Sequence, residues 1–109
     1  MTAEAGSADK GPAHLEIDKL IHEPARMMVM AHLFVVDEAD FVYLIHHTGL
    51  TWGNLSTHLT KLEHGGYVDA QKSFAGKKPR TTLKLTKQGR DAFSSYRQRM
   101  QRMLDESAQ

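Results

Sequence analysis

Hydrophobic positions along this 109-residue chain fall into a series of short blocks, and their spacing sets the elements. After a polar stretch over residues 1–14 that reads as a flexible tail, Leu15 to Leu20 begins the apolar pattern. His22-Glu23-Pro24 is a helix start, because proline fits the first turn, where its missing N–H costs nothing. A first helix is predicted over 24–34. Its Met27, Met28 and Met30 suit adaptable core packing. Asp37 to Asp40 interrupts the pattern, and Asp40 is positioned to cap a second helix, 41–47, whose inward face is Phe41, Leu44 and Ile45.

Thr48-Gly49-Leu50-Thr51 reads as a tight turn, with Gly49 able to take a positive φ and Thr51 able to cap a third helix. That helix, 52–64, carries Leu55, Leu59 and Leu62 at spacings of four and three, one buried stripe, and ends at Gly65-Gly66. Residues 67–74 and 81–85 read as strands, the second alternating Thr81, Leu83 and Leu85 against Thr82 and Lys84. The intervening Ala75-Gly76-Lys77-Lys78-Pro79-Arg80 supplies a turn, so the pair forms a β-hairpin with a basic tip. Thr86 begins a last helix, 87–104, with Ala92, Phe93, Tyr96, Met100 and Met103 along one face. The fold class is therefore α+β, mainly α. One domain over 15–104 is expected, with tails at 1–14 and 105–109.

Composition narrows the function classes. A 40% hydrophobic and 25% charged chain lies in the ordinary globular range, so neither disorder nor a membrane protein is indicated. No apolar run approaches the roughly 18 residues of a spanning helix, and the first residues lack the order of a secretory signal, so a cytoplasmic address is expected. The absence of cysteine excludes disulfides, thiolate metal sites and a cysteine nucleophile. No G-x-S-x-G elbow, glycine-rich phosphate loop or H-E-x-x-H is present, since His22-Glu23 continues as Pro24-Ala25-Arg26. Neither an enzyme nor a cofactor is expected.

Charge is informative by position. The net value is only +1, yet residues 1–50 hold three basic and eight acidic side chains, and residues 70–90 hold seven basic and none acidic. A concentrated basic stretch on a nearly neutral protein points to a polyanion contact.

The order helix, helix, tight turn, helix, basic hairpin, long helix is that of a winged helix-turn-helix. Glu23-Pro24-Ala25-Arg26, the run Leu50-Thr51-Trp52-Gly53-Asn54-Leu55-Ser56-Thr57-His58-Leu59 with Lys61-Leu62-Glu63, Gly66-Tyr67-Val68, Lys77-Lys78-Pro79-Arg80-Thr81 and Leu85-Thr86-Lys87-Gln88-Gly89-Arg90 together resemble the small MarR/ArsR-like winged-helix regulators. The resemblance covers about residues 15–104. It implies a transcription regulator, a repressor, that dimerises on a pseudo-palindromic operator.

The residues support the same picture. Opposite the leucine stripe, helix 52–64 offers Gly53, Asn54, Ser56, Thr57, Thr60 and Lys61, small or hydrogen-bonding groups suited to a major groove. Asn54 suits adenine, Lys61 a guanine or a phosphate, and Thr57 a phosphate or a thymine methyl. Thr51 and Trp52 stand at the start of that helix. Trp52 has three readings: cover for the core edge, a backbone contact through its indole N–H, or a mark of a protein partner. His58 reads as a satisfied, partly buried histidine. Lys77, Lys78 and Arg80 on the 75–80 wing suit phosphates or the minor groove. Phe93, Tyr96, Met100, Met103 and Leu104 are the candidate interface of a homodimer, which would set two recognition helices roughly 34–36 Å apart.

Seven histidines raise metal sensing as a rival, but no two stand three or four apart, and His46 and His47 point different ways. His14 and Asp18 have ligand spacing but lie near the tail, so no metal site is assigned. A small-molecule effector, a protein effector or none remains open. The other rival is a winged helix that binds protein through Trp52 and the methionine-rich helix.

Overall fold

The computed structural model describes residues 17–107. The chain runs α1 (Pro24–Val35), β1 (Ala39–Asp40), α2 (Phe41–Thr48), α3 (Trp52–His64), β2 (Val68–Ala75), β3 (Lys78–Leu85) and α4 (Lys87–Ser107). Among these residues no helix is long and apolar enough to cross a membrane. The expected 1–14 tail lies outside the described residues.

Helix starts follow their local chemistry. Glu23 caps α1 by accepting from the Arg26 N–H at 2.8 Å, Asp40 caps α2 through the Tyr43 N–H at 2.8 Å, and Thr51 caps α3 through the Asn54 N–H at 3.1 Å. Thr86 accepts from the Gly89 N–H at 2.9 Å to start α4. The corner between α2 and α3 turns on Gly49, whose φ of +75° only glycine takes without strain.

Three differences from the sequence reading concern the sheet, the hairpin turn and the last helix. The sheet has three strands, ordered β1-β3-β2, because Ala39 and Asp40 pair antiparallel with Leu83 and Thr82. Two residues are too few to show a period, so only the pairing reveals this strand. The hairpin closes more tightly than a 75–80 loop: Ala75 pairs with Lys78, leaving Gly76-Lys77 as a two-residue turn with positive φ at Gly76. Helix α4 runs on to Ser107, so residues 105–107 are helical and not tail.

The core gathers one side of every element. Val29, Met30 and Leu33 of α1, Leu44 of α2, Leu55, Leu59 and Leu62 of α3, Leu83 and Leu85 of β3, and Phe93 and Tyr96 of α4 are buried together. Each such side chain contributes about 1.5–3 kcal/mol by leaving water. Around this core a polar seam fixes the segment before α1. Asp18 accepts from the Leu20 N–H at 2.9 Å and from the Tyr67 hydroxyl, while the His22 Nδ1 and the Tyr96 hydroxyl lie 2.8 Å apart. Asp18 is thus committed to the fold, and His14, its suggested co-ligand, lies outside the described residues.

That seam predicts an alkaline limit to stability. Desolvation, then the hydrogen bond to Asp18 and its charge, push Tyr67 up to about 12 from an ordinary 10.0. The folded state therefore holds this proton more tightly than the unfolded chain does. The associated stability is whole below pH 10 and is lost as pH rises from there through 12. Tyr96 is shifted the same way by burial and adds to the slope. Denaturant midpoints measured across this range should fall with pH in the native protein, and Tyr67→Phe should flatten much of that fall.

Candidate nucleic-acid interface

Burying Leu55, Leu59 and Leu62 forces the other side of α3 outward, since residues three and four apart share a face. Thr51, Trp52, Gly53, Asn54, Ser56, Thr57, Thr60 and Lys61 line this outer side and the start of the helix, and all of them are exposed. Their chemistry is not uniform. Thr51 spends its oxygen lone pair on the cap, keeping its O–H proton to give. Thr60 donates its hydroxyl proton to the Ser56 carbonyl at 2.9 Å and so offers outward its methyl group and acceptor lone pairs. The free N–H groups of the first turn also face solvent here, a place where anions are favoured.

Trp52 divides its surface between two environments. One face stacks on Phe41 of α2, with centroids 5.3 Å apart and planes 10° apart, yet the residue remains 59% exposed. It borders an open cleft of about 470 Å³ between α2 and the hairpin. His58 turns back into the fold, its Nδ1 3.2 Å from Arg26 Nη1 and 3.7 Å from Glu23 Oε1, which anchors α3 to the start of α1. The Arg26 N–H, first among the causes, holds the Glu23 carboxyl below its usual range.

The hairpin projects from the same side as Trp52. Lys77 and Lys78 are exposed at its tip, and Arg80 stands 3.6 Å from Asp40 Oδ2. Asp40 therefore uses one oxygen to cap α2 and presents the other to a wing guanidinium. An exposed pair of this kind adds little stability, but it biases where the arginine sits. The base of the hairpin is tied to α4, with the Thr86 hydroxyl donating to the Gly66 carbonyl at 2.6 Å and the Thr86 N–H to the Tyr67 carbonyl at 3.0 Å.

The candidate dimer residues fall into two groups. Phe93 and Tyr96 are buried within this chain's own core, Phe93 against Phe34 at 5.3 Å between centroids. They are part of the monomer's own packing, and Phe93 also lines a cleft between α1 and α4. Met100 and Met103 are half-buried and Leu104 is exposed, so the outer half of α4 retains an apolar edge. Sequence reasoning did not single out Val35, 83% exposed at the end of α1, or Phe74, 73% exposed on the hairpin. His32 and His47 approach to 5.8 Å between ring centroids, but among the described residues no group of three histidines or acids is placed to hold a metal ion.

Comparison with known proteins fits this geometry. Residues 25–104 match the family of winged helix DNA-binding domains. An uncharacterized protein of Methanocaldococcus jannaschii is 37% identical over 78 residues, 72% of this chain and 85% of that protein. A transcriptional regulator homologue from Pyrococcus horikoshii OT3 superposes with a TM-score of 0.76 at 28% identity, over 80% of this chain and 86% of that one. The fold is also shared with Streptococcus pneumoniae FabT, solved in complex with DNA, at a TM-score of 0.57 and 20% identity, over 91% of this chain and 65% of that one.

Proposed function

Because the chain belongs to the winged helix DNA-binding domain family, and is a DNA-binding regulator rather than an enzyme, we propose that it binds specific duplex sites as a homodimer and represses transcription. The observation that carries this is the outward polar face of α3 set beside a hairpin whose tip is cationic. In this reading α3 enters the major groove, where Asn54, Ser56, Thr57 and Lys61 meet base edges and phosphates. Thr51, Trp52 and Thr60 flank that contact, and Lys77, Lys78 and Arg80 lie on phosphates or in the minor groove.

Gly53 offers a separate argument. It has an ordinary helical conformation, and nothing lies within 4 Å of where a Cβ would stand. Glycine in an exposed helix costs about 0.5–1 kcal/mol relative to alanine. The fold gains nothing from that cost, whereas a DNA backbone passing close to the start of α3 would. Gly53→Ala should raise the thermal midpoint by roughly 2–6 °C and weaken DNA binding by about tenfold. A variant that is more stable and binds as well as the native protein would remove Gly53 from the interface.

Dimerisation is assigned to the outer half of α4. Met100, Met103 and Leu104 continue toward a cleft of about 410 Å³ between α1 and α4, lined by Ala31, Phe34, Val35, Phe93 and Arg97. A second copy would cover this apolar strip and give a two-fold protein for a pseudo-palindromic operator. Light scattering at micromolar concentration tests it, with Leu104→Glu expected to shift the protein toward monomer. Selection of bound duplexes from a random pool tests the reading as a whole: a palindrome should be enriched, and failure to enrich any sequence would overturn it. Residues 17–104 are assigned to one DNA-binding domain.

A further inference from the structure

Phe74 is the one large aromatic on the hairpin, and the polar and cationic contacts proposed for DNA binding make no use of it. It stands directly opposite Pro79 in the β2–β3 register, one step from the turn. Counting by twos, Phe74 shares its sheet face with Val68 and Ala70, and Pro79 shares its face with Leu83 and Leu85. That face is the core side at the root of the hairpin. Burial then fades along it: Val68 is buried, Ala70 half-buried, and everything from Gln71 to Arg80 is exposed. Past the core this face carries the polar pair Lys72 and Thr81 and then ends in the apolar pair Phe74 and Pro79, with the aromatic ring 73% in water.

The surroundings of this ring restrict its partner. Lys72, Lys77, Lys78 and Arg80 share the same end of the hairpin, and no acidic residue occurs from 70 to 90. Four cations at this end of the hairpin, Lys72 on the face of the ring, Lys77 in the turn and Lys78 and Arg80 on the opposite face, disfavour an ordinary protein surface, and a single phenyl ring is far short of the roughly 800 Å² per partner that a standard protein interface buries. A DNA minor groove has the complementary character: apolar deoxyribose walls between two anionic rims. We propose that Phe74, backed by Pro79, packs against the sugars of the minor groove while Lys77, Lys78 and Arg80 take the flanking phosphates. This rests on the reading that the hairpin lies on DNA. It adds an apolar contact to a wing otherwise explained by charge alone.

Inosine separates the grooves. It lacks only the guanine 2-amino group, which projects into the minor groove, and leaves the major-groove edge unchanged. Two duplexes of alternating dG-dC and alternating dI-dC therefore serve as probes, titrated at low salt with the full chain. The native protein should bind the inosine duplex about tenfold more tightly, since the ring gains access to the groove floor. Phe74→Ala should bind both more weakly and lose most of that preference. Its log–log salt slope should stay unchanged, because an uncharged side chain displaces no counterion. Phe74→Leu should restore part of the preference, and both variants should melt like the native protein because the ring is exposed. An undiminished inosine preference in Phe74→Ala, or an altered salt slope without loss of that preference, would overturn the assignment while leaving DNA binding intact. Failure of the native protein to bind either duplex would overturn the DNA-binding wing and this proposal with it.

Discussion

The triple variant Lys77→Glu, Lys78→Glu, Arg80→Glu is expected to lose DNA affinity by about a thousandfold near 100 mM salt, with the fold intact. All three side chains are exposed, and the ion pair that Arg80 makes with Asp40 is itself open to solvent. Removing them should therefore leave the stability within about 0.5 kcal/mol of native. The companion measurement is the salt dependence. Each phosphate contact contributes roughly 0.9 to the log–log slope, so neutralising three should flatten it by about 2.7 per protomer. If affinity and slope are both retained, the basic wing is incidental. The chain would then be better read as a winged helix that binds protein through the exposed Trp52 and, since the methionines of α1 are buried or half-buried, through the exposed Val42 of α2 in place of that helix.

Gly89→Ala should be among the most destabilising single changes in the chain, costing about 3 kcal/mol, the upper part of the overpacking range. Gly89 is buried in the first turn of α4, and a Cβ there would stand 2.1 Å from the Tyr67 carbonyl oxygen. Backbone is on the other side of the contact, so no side-chain rotation relieves it. The same Tyr67 carbonyl accepts from the Thr86 N–H, so displacement would propagate into the junction where the hairpin leaves the core. Urea denaturation should show a lower midpoint. Binding should weaken as well, because the wing's angle relative to α3 depends on that junction. An unchanged midpoint would mean that α4 is free to shift, contrary to the tight packing of its first turn.

Much of the scaffold was legible because it is encoded locally. Asp40, Thr51 and Thr86 act as caps within three residues of the N–H groups they satisfy, and Gly49 makes the turn between α2 and α3 through its own φ. The outward polar face of α3 followed from the same short-range logic, since three leucines spaced by four and three leave only one direction for Asn54, Ser56, Thr57 and Lys61. The residues read as a candidate dimer interface were less legible. An amphipathic stripe states that a face is buried but not against what, and Phe93 and Tyr96 proved to be covered by the core of the same chain. Phe74 was not singled out because Lys72 separates it from Val68 and Ala70 on the same face, and only the length of the hairpin relative to the core shows the ring exposed.

The sequence by itself therefore determined the order of the helices and the hairpin, their caps, the tight turn and the charge of the wing, all of which depend on neighbours within one helical turn or one hairpin. The tertiary structure decided the rest: the pairing of Ala39 and Asp40 with β3, the hydrogen bond of Tyr67 to Asp18, the approach of His22 to Tyr96 and the lack of room at Gly89. Those contacts join residues far apart in the chain, 74 positions in the case of His22 and Tyr96. No periodicity in the chain specifies them, because they arise only when the buried faces of separate elements are closed around one core.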